Sequence, residues 1–296
     1  RPSYSFGERT RSYLKIQDGC DYTCSFCTIP LARGKSRSGT IKDTINNAQR
    51  IAKTKQVKEI VITGVNIGDF GVNNGESLIQ LLREMDELKY VERIRISSIE
   101  PNLLSDEIIE FCNRSKKFMP HFHIPLQSGS NKILKLMRRR YNTEYYRTLI
   151  KKIKNINEDT CIGVDVIVGF PGETDSDFLS TYEFLTSIDI SYLHVFSYSE
   201  RINTDAYRST NHVPKKKKSE RSKMLHNLSN KKRHAFYNRF INQKRKVLYE
   251  CIKNGNAIGH TDNYVQVKVE PDPQLVNSVQ QTQLLNNLGD SLHGKI

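Results

Sequence analysis

The 296-residue sequence has no apolar run near the roughly 18 residues that would suggest a membrane-spanning helix. Its opening, RPSYSFGERTRSY, has no apolar core and does not read as a signal peptide. Low-complexity segments are missing, as is any repeat beyond a strand–helix period. Cysteine is scarce, six in all, which excludes a disulfide-dense secreted scaffold. Mean hydropathy is -0.58, so a soluble, cytoplasmic protein in a reducing compartment is expected, with no membrane partner. Acidic residues are almost missing from one long stretch. Between Pro214 and Lys246 thirteen Lys and Arg face a single acid, Glu220, and that stretch carries +12 of the net +14. A charge so regional points to a polyanionic partner.

What is present is a strand–helix rhythm. Runs rich in β-branched residues recur at SYLKI (12–16), EIVIT (59–63), RIRIS (93–97), HFHIP (121–125), IGVDVIVGF (162–170) and YLHVFSYS (192–199). Amphipathic segments lie between them. In the clearest, 76–88, Leu78, Leu81, Leu82, Met85 and Leu88 share one helical face. Thr174 and Asp177 form a capping-box-like helix start. Six such units predict an α/β fold, a six-unit partial barrel of parallel strands over 12–213. A basic helical segment is expected over 214–243, with Met224, Leu225, Leu228, Ala235, Phe236 and Phe240 as its apolar side. Alternation in YVQVKVE (264–270) then predicts a small β-domain over 244–296.

Three of the six cysteines, Cys20, Cys24 and Cys27, fall within eight residues. A disulfide would leave one thiol over. Structural zinc asks for four protein ligands, and the nearest histidine in sequence is His121. An iron–sulfur cubane usually takes four thiolates, so three leave one iron open to chemistry. The C-x3-C-x2-C loop also follows the first strand directly, at the end where α/β barrels hold their active sites.

That spacing resembles the radical S-adenosylmethionine (SAM) superfamily. The stretch CSFCTIPLARGKSRS resembles the methylthiotransferases within it, as do EIVITGVNIGDFG, RIRISSIEP, HFHIPLQSGSNKILKLMRRRY, DVIVGFPGET and HVFSYSERINTDA, from about Phe6 to Asp262. IPLARG and RISSIEP look most like the branch acting on threonylcarbamoyladenosine in tRNA. The other branches modify isopentenyladenosine in tRNA or a ribosomal-protein aspartate. A non-catalytic tRNA-binding protein with a structural metal is the reading from another class.

The resemblance implies a [4Fe–4S] cluster on the three cysteines, with SAM on the open iron and cleaved by one electron from a flavodoxin- or ferredoxin-like donor. It places Phe26, Thr63, Gly64, Glu100, Gln127, Ser128, Asp165 and Gly169 around SAM. For Phe26, plain packing of the loop is the alternative, and for Gly64 and Gly169 it is turn geometry. An acid such as Asp165 inside an apolar strand needs a partner in any case. The terminal domain looks like the tRNA-binding TRAM barrel through GHTDNYVQVKV (259–269). Lys215, Lys216, Lys217, Lys218, Lys231, Lys232, Arg233, Lys244 and Arg245 are the expected contacts to an anticodon stem-loop. The triple Arg138–Arg140 is read as solvated charge or a further RNA contact. The family carries a further front domain with three more cysteines and a second [4Fe–4S] cluster. Residues 1–11 are read as the linker from it, because Cys112, Cys161 and Cys251 are too scattered to form a ligand set. Cys112 and Cys161 are expected in the core.

Overall fold

A computed structural model describes residues 3–4, 10–54 and 57–296. Six parallel strands run in sequence order: β1 (Arg11–Lys15), β2 (Glu59–Thr63), β3 (Arg93–Ile96), β4 (His121–His123), β5 (Cys161–Val168) and β6 (Tyr192–Ser197). Each matches one of the six β-branched runs. Ladders join β1 to β3 and β4 to β6, and single bridges, Ile94 to Phe118 and Ser98 to His123, join the two sets. Among the described residues no ladder joins β6 to β1, so the barrel is open on that side. The outer edge of β1 is instead paired antiparallel with Ser3–Tyr4. The remainder of the expected linker, except Thr10 and Arg11, lies outside the described residues.

Crossover helices pack on the outside: α1 (Ile41–Lys53), α2 (Leu78–Asp86), α3 (Asp106–Arg114), α4 (Thr143–Ile156) and α5 (Asp175–Ser187). Each starts at a side-chain cap. Thr40, Ser77, Ser105, Asn142 and Thr174 accept from an amide in the first turn, and Ser77–Gln80 and Thr174–Asp177 close full capping boxes. Such a cap is worth about 1 kcal/mol. The core between helices and strands is aliphatic, with Leu14, Ile60, Ile62, Ile94, Ile124, Ile162, Val164, Leu81, Leu82 and Met85 wholly buried. Full burial of such side chains contributes about 1.5–3 kcal/mol apiece. Cys112 is buried here, and Cys161 is buried in the cluster shared with the small barrel, both as expected.

The basic segment is one helix, α6 (Lys215–Asn238), laid along β6. Its inward residues are Leu225, Leu228, Ser229, Phe236 and Tyr237, whereas Met224 and Ala235 are exposed, which corrects the expected apolar face. Ser229 explains the phase: its hydroxyl bonds both the amide and the carbonyl of Leu193 on β6, turning that side of the helix inward.

After α6 the chain forms a closed five-strand barrel: β7 (Lys244–Lys253), β8 (Asn256–Thr261), β9 (Gln266–Val269), β10 (Ser278–Asn287) and β11 (Leu292–Lys295), in the order β7-β8-β9-β11-β10. Val247, Tyr249, Val265, Val267, Leu284 and Leu292 fill it. Gly259 is required where β8 crosses β7, since a Cβ there would lie 2.4 Å from the Leu248 carbonyl oxygen.

This small barrel plugs the floor of the large one. Arg93 donates to the carbonyls of His260 and Lys246, and Arg95 to that of Asp262. Arg245 pairs with Asp159 on one body and Asp262 on the other, at 2.9 and 3.0 Å. The Tyr264 ring receives the Arg95 guanidinium at 4.8 Å and stacks on His260.

Candidate active site

The loop after β1 carries the three cysteines, and all three thiols are free. Gly19 permits its turn: at φ +70 it sits where a Cβ would lie 2.1 Å from the Lys35 carbonyl oxygen. Gln17 ties the loop to the next strand. Its amide nitrogen donates to the Gly19 carbonyl and Ser36 hydroxyl, and its oxygen accepts from Val65 and Asn66. The loop after β1 and the loop after β2, which begins at Thr63–Gly64, are thereby locked together.

Each cysteine sulfur has a donor pointed at it. The Tyr22 amide lies 3.4 Å from Cys20 Sγ, the Ile29 amide 3.5 Å from Cys27 Sγ, and Arg139 Nη1 3.2 Å from Cys24 Sγ. Such donors stabilise thiolate charge, as metal ligation requires. Burial pushes the Cys20 and Cys27 thiols above their ordinary range, so they favour the protonated form until a cation displaces the proton. Cys112, Cys161 and Cys251 add no ligand: two are in the core and Cys251 is exposed on β7.

Arg139 is the site residue that sequence reasoning misses. The RRR triple divides three ways. Arg138 pairs with Asp205 at 2.6 Å, Arg140 stacks over Tyr22 at 3.7 Å, and Arg139 turns inward with 4% of its side chain exposed. Besides Cys24, it holds the Glu100 carboxylate and the Tyr141 hydroxyl, which itself donates to the Pro125 and Leu126 carbonyls. Burial works against its charge, but Tyr141, Glu100 and Cys24 outweigh that and fix the cation. The reading of the triple as solvated charge is thus corrected for its middle member, and nothing in three identical letters marks which one dips in.

The expected SAM-binding positions divide into groups. Thr63 and Gly64 line a central cavity of about 600 Å³ inside the barrel, together with Ser97, Ser98, His123 and His194. Glu100 lies beside the cysteines through Arg139. Gln127, in the loop after β4 and bridged to Val166 on β5, has φ 73, an unusual backbone for glutamine, and its buried Oε1 has no partner. An orphaned acceptor on a strained loop residue is what a bound donor would satisfy. Ser128 faces away: it is wholly buried, bonded to Thr181, and steadies the loop from behind. Phe26 packs edge-on against Phe170 at 6.3 Å. Gly169 has φ +72, and its amide donates to Glu173 while Lys218 lies across it. Asp165 has its partner, His123 Nε2, at 2.8 Å, and His194 completes a group whose ligand atoms lie within 4.8 Å of one another. Desolvation, then His123, holds His194 below its ordinary range, so it is neutral at pH 7.

The expected RNA contacts also separate. Lys215, Lys216, Lys231 and Lys244 are exposed, and Lys215 and Lys218 line an open groove with Lys223, His226 and Tyr198. Lys217 pairs with Asp175 at 2.5 Å. Lys232 donates to the Thr186 and Ile188 carbonyls at the end of α5, and Arg245 is the clamp described above. Arg233 lines the central cavity.

A parallel partial barrel with three thiols on its first loop defines a class. The Radical SAM superfamily profile matches residues 14–185, and the chain belongs to that superfamily. More particularly, it is 38% identical over 288 residues to the threonylcarbamoyladenosine tRNA methylthiotransferase MtaB of Bacillus subtilis (strain 168), covering 95% of this chain and 64% of that protein. The namesake from Aquifex aeolicus (strain VF5) is 40% identical, with 89% and 63% covered. A tRNA-2-methylthio-N(6)-dimethylallyladenosine synthase from Acetivibrio thermocellus (strain ATCC 27405) is 32% identical, with 97% and 60% covered. The chain thus spans less than two thirds of the length of these curated relatives. Among solved structures, the radical SAM methyltransferase TsrM from Kitasatospora setae superposes with a TM-score of 0.56 at 14% identity, covering 66% of this chain and 38% of that one. Coproporphyrinogen III oxidase (HemN) from Escherichia coli gives 0.53 at 14%, covering 96% and 70%. Both likenesses concern the fold alone.

Proposed function

We propose that this chain is the radical SAM and RNA-binding portion of a tRNA methylthiotransferase that places a methylthio group on C2 of N6-threonylcarbamoyladenosine beside the anticodon. One observation carries the reading: three free thiols, each with an N–H donor, stand on the first loop of a partial barrel in a chain 37–40% identical to several proteins of that name.

The residues fit the implied groups. Cys20, Cys24 and Cys27 would hold three irons of a [4Fe–4S] cluster. Thr63, Gly64, Gln127 and Asp165 would surround SAM, with Phe26 and Gly169 at its rim. When bound, this pair supplies one-electron cleavage of the sulfonium and hence radical chemistry at an unactivated carbon. The protein's own part is positioning. Arg139 holds Cys24, Glu100 and Tyr141 in one network, and Gln17 keeps the cysteine loop in register with Thr63 and Gly64. His123 and Asp165 satisfy each other, so neither enters the cavity as a lone charge. The exposed lysines of α6 give salt-sensitive phosphate contacts and orient the RNA. A second cluster in a preceding domain, a flavodoxin- or ferredoxin-like donor and a cytoplasmic location belong to the same proposal.

Mass spectrometry of nucleosides from tRNA of a deletion strain tests it. Loss of the methylthio form, with threonylcarbamoyladenosine retained, is expected, and an unchanged methylthio nucleoside overturns the assignment. Relatives named for dimethylallyladenosine, at 30–35% identity, give the second reading, which the same spectra separate.

A further inference from the structure

Arg11 and Arg95, which line the floor of the central cavity, already have counter-charges. Arg11 meets Glu59 and Glu250 at 2.6 and 2.9 Å, and Arg95 shares Glu59 at 3.1 Å. Of the acids in the wall, Glu59 is thereby used up and Asp290 is held by Lys268 at 3.0 Å. Arg233 differs. It reaches the cavity from α6, half-buried, and among the described residues no hydrogen bond or ion pair engages its guanidinium. His194 and Tyr237 are near enough to feel its charge, and Tyr13 and Tyr192 line the same cavity, so the surroundings offer aromatic faces and neutral polar edges. A cation in this setting, with no acid left to answer it, is prepared for an anion that arrives with a ligand.

We propose that Arg233 reads the carboxylate of the amino-acid substituent on the modified base, and so sets which adenosine the cavity accepts. This rests on the tRNA reading above. The cavity of about 600 Å³ lies within the roughly 300–1,000 Å³ of small-ligand sites; Thr63 and Gly64, proposed for SAM, line it from β2 and Arg233 from α6, so the space beside Arg233 is for the substituent of an extruded base. The backbone phosphates of the RNA would stay outside, along the exposed lysines of α6. A threonylcarbamoyl group brings a carboxylate that a planar guanidinium can bind through two N–H groups. A dimethylallyl group brings hydrocarbon, which leaves the same guanidinium desolvated and unanswered. The arginine therefore selects by attraction and by penalty together.

The test measures binding of three anticodon stem-loops by fluorescence anisotropy, using the complete protein. One loop carries threonylcarbamoyladenosine, one its methyl ester, and one plain adenosine. Wild type should favour the free acid over the ester by about tenfold, the scale of one charge-assisted contact. Arg233→Gln should bring that ratio close to one, and Arg233→Lys should recover part of it, which also shows that the fold survives. If Arg233→Gln weakens all three loops equally and keeps the ratio, the residue is a phosphate contact and the proposal is overturned. Wild type with no preference for the free acid over plain adenosine overturns the substrate reading itself.

Discussion

Glu59→Gln removes a fully buried acid from the wall of the cavity. The carboxylate has no exposure and lies between Arg11 and Arg95, at 2.6 and 3.1 Å, where the large barrel rests on the small one. Two routes give the size of the loss. Breaking a buried ion pair from one side costs about 3–5 kcal/mol, because the remaining charge is left without its partner. Alternatively, burial raises the carboxyl's value, yet Arg95 and Arg11 bring it from 4.5 down to about 2. A shift of that size corresponds to about 3 kcal/mol of stability. The value is depressed on folding, so this contribution is complete above pH 4.5 and disappears as pH falls toward about 2. Urea unfolding of wild type and variant at pH 7, 5, 4 and 3 reads both signs. The gap should be about 3 kcal/mol at pH 7, persist at pH 5 and shrink steadily below it. A gap under about 1 kcal/mol at pH 7, or one unchanged down to pH 3, would refute the reasoning.

Replacing any one of Cys20, Cys24 or Cys27 with alanine should leave far-UV circular dichroism unchanged and abolish the cubane. Iron after anaerobic reconstitution then falls well below the about four per chain expected of wild type. Arg139→Met should cost about 2–3 kcal/mol in urea unfolding because Glu100 loses its partner. Adding Glu100→Gln should return part of that, and additivity of the two changes would count against the pair. Gly19→Ala should impair the cysteine loop more than its distance from any core suggests, lowering iron uptake and melting temperature together, since the Cβ meets backbone at 2.1 Å. Lys215→Ala with Lys216→Ala should flatten the salt dependence of RNA binding by about 1.4 in log–log slope, at about 0.7 for each phosphate no longer neutralised. An unchanged slope would move the RNA elsewhere.

The sequence makes the large barrel legible because parallel strands buried on both faces read as plain β-branched runs, as EIVIT does. The caps at Ser77 and Thr174 and the cysteine spacing are equally local signals. Less local features stay hidden. Strand β10, SVQQTQLLNN, turns only Thr282 and Leu284 fully inward, so its polar composition conceals it. Gln17 sits two residues beyond β1, in a short pairing with Ser38, and nothing near it announces that it will bond Val65 and Asn66. Asp165 advertises a need for a partner, but only folding brings β4 beside β5 and makes that partner His123.

The thirteen cations between Pro214 and Lys246 show why net charge overstates what a partner meets. Arg221 is buried with Glu173 and also reaches the exposed Asp175, Lys217 answers Asp175 as well, Arg239 faces Glu158, and Arg245 clamps the two barrels. Lys232 caps the end of α5, where the carbonyls carry partial negative charge. Lys215, Lys216, Lys223, Lys231, Lys244 and Lys246 are exposed, and no ion pair engages them among the described residues. The paired set fixes α6 and the small barrel against the large one, and the unpaired set rides on that rigid frame. A polyanion that met the second set would therefore meet charges held in fixed positions along β6 and the small barrel.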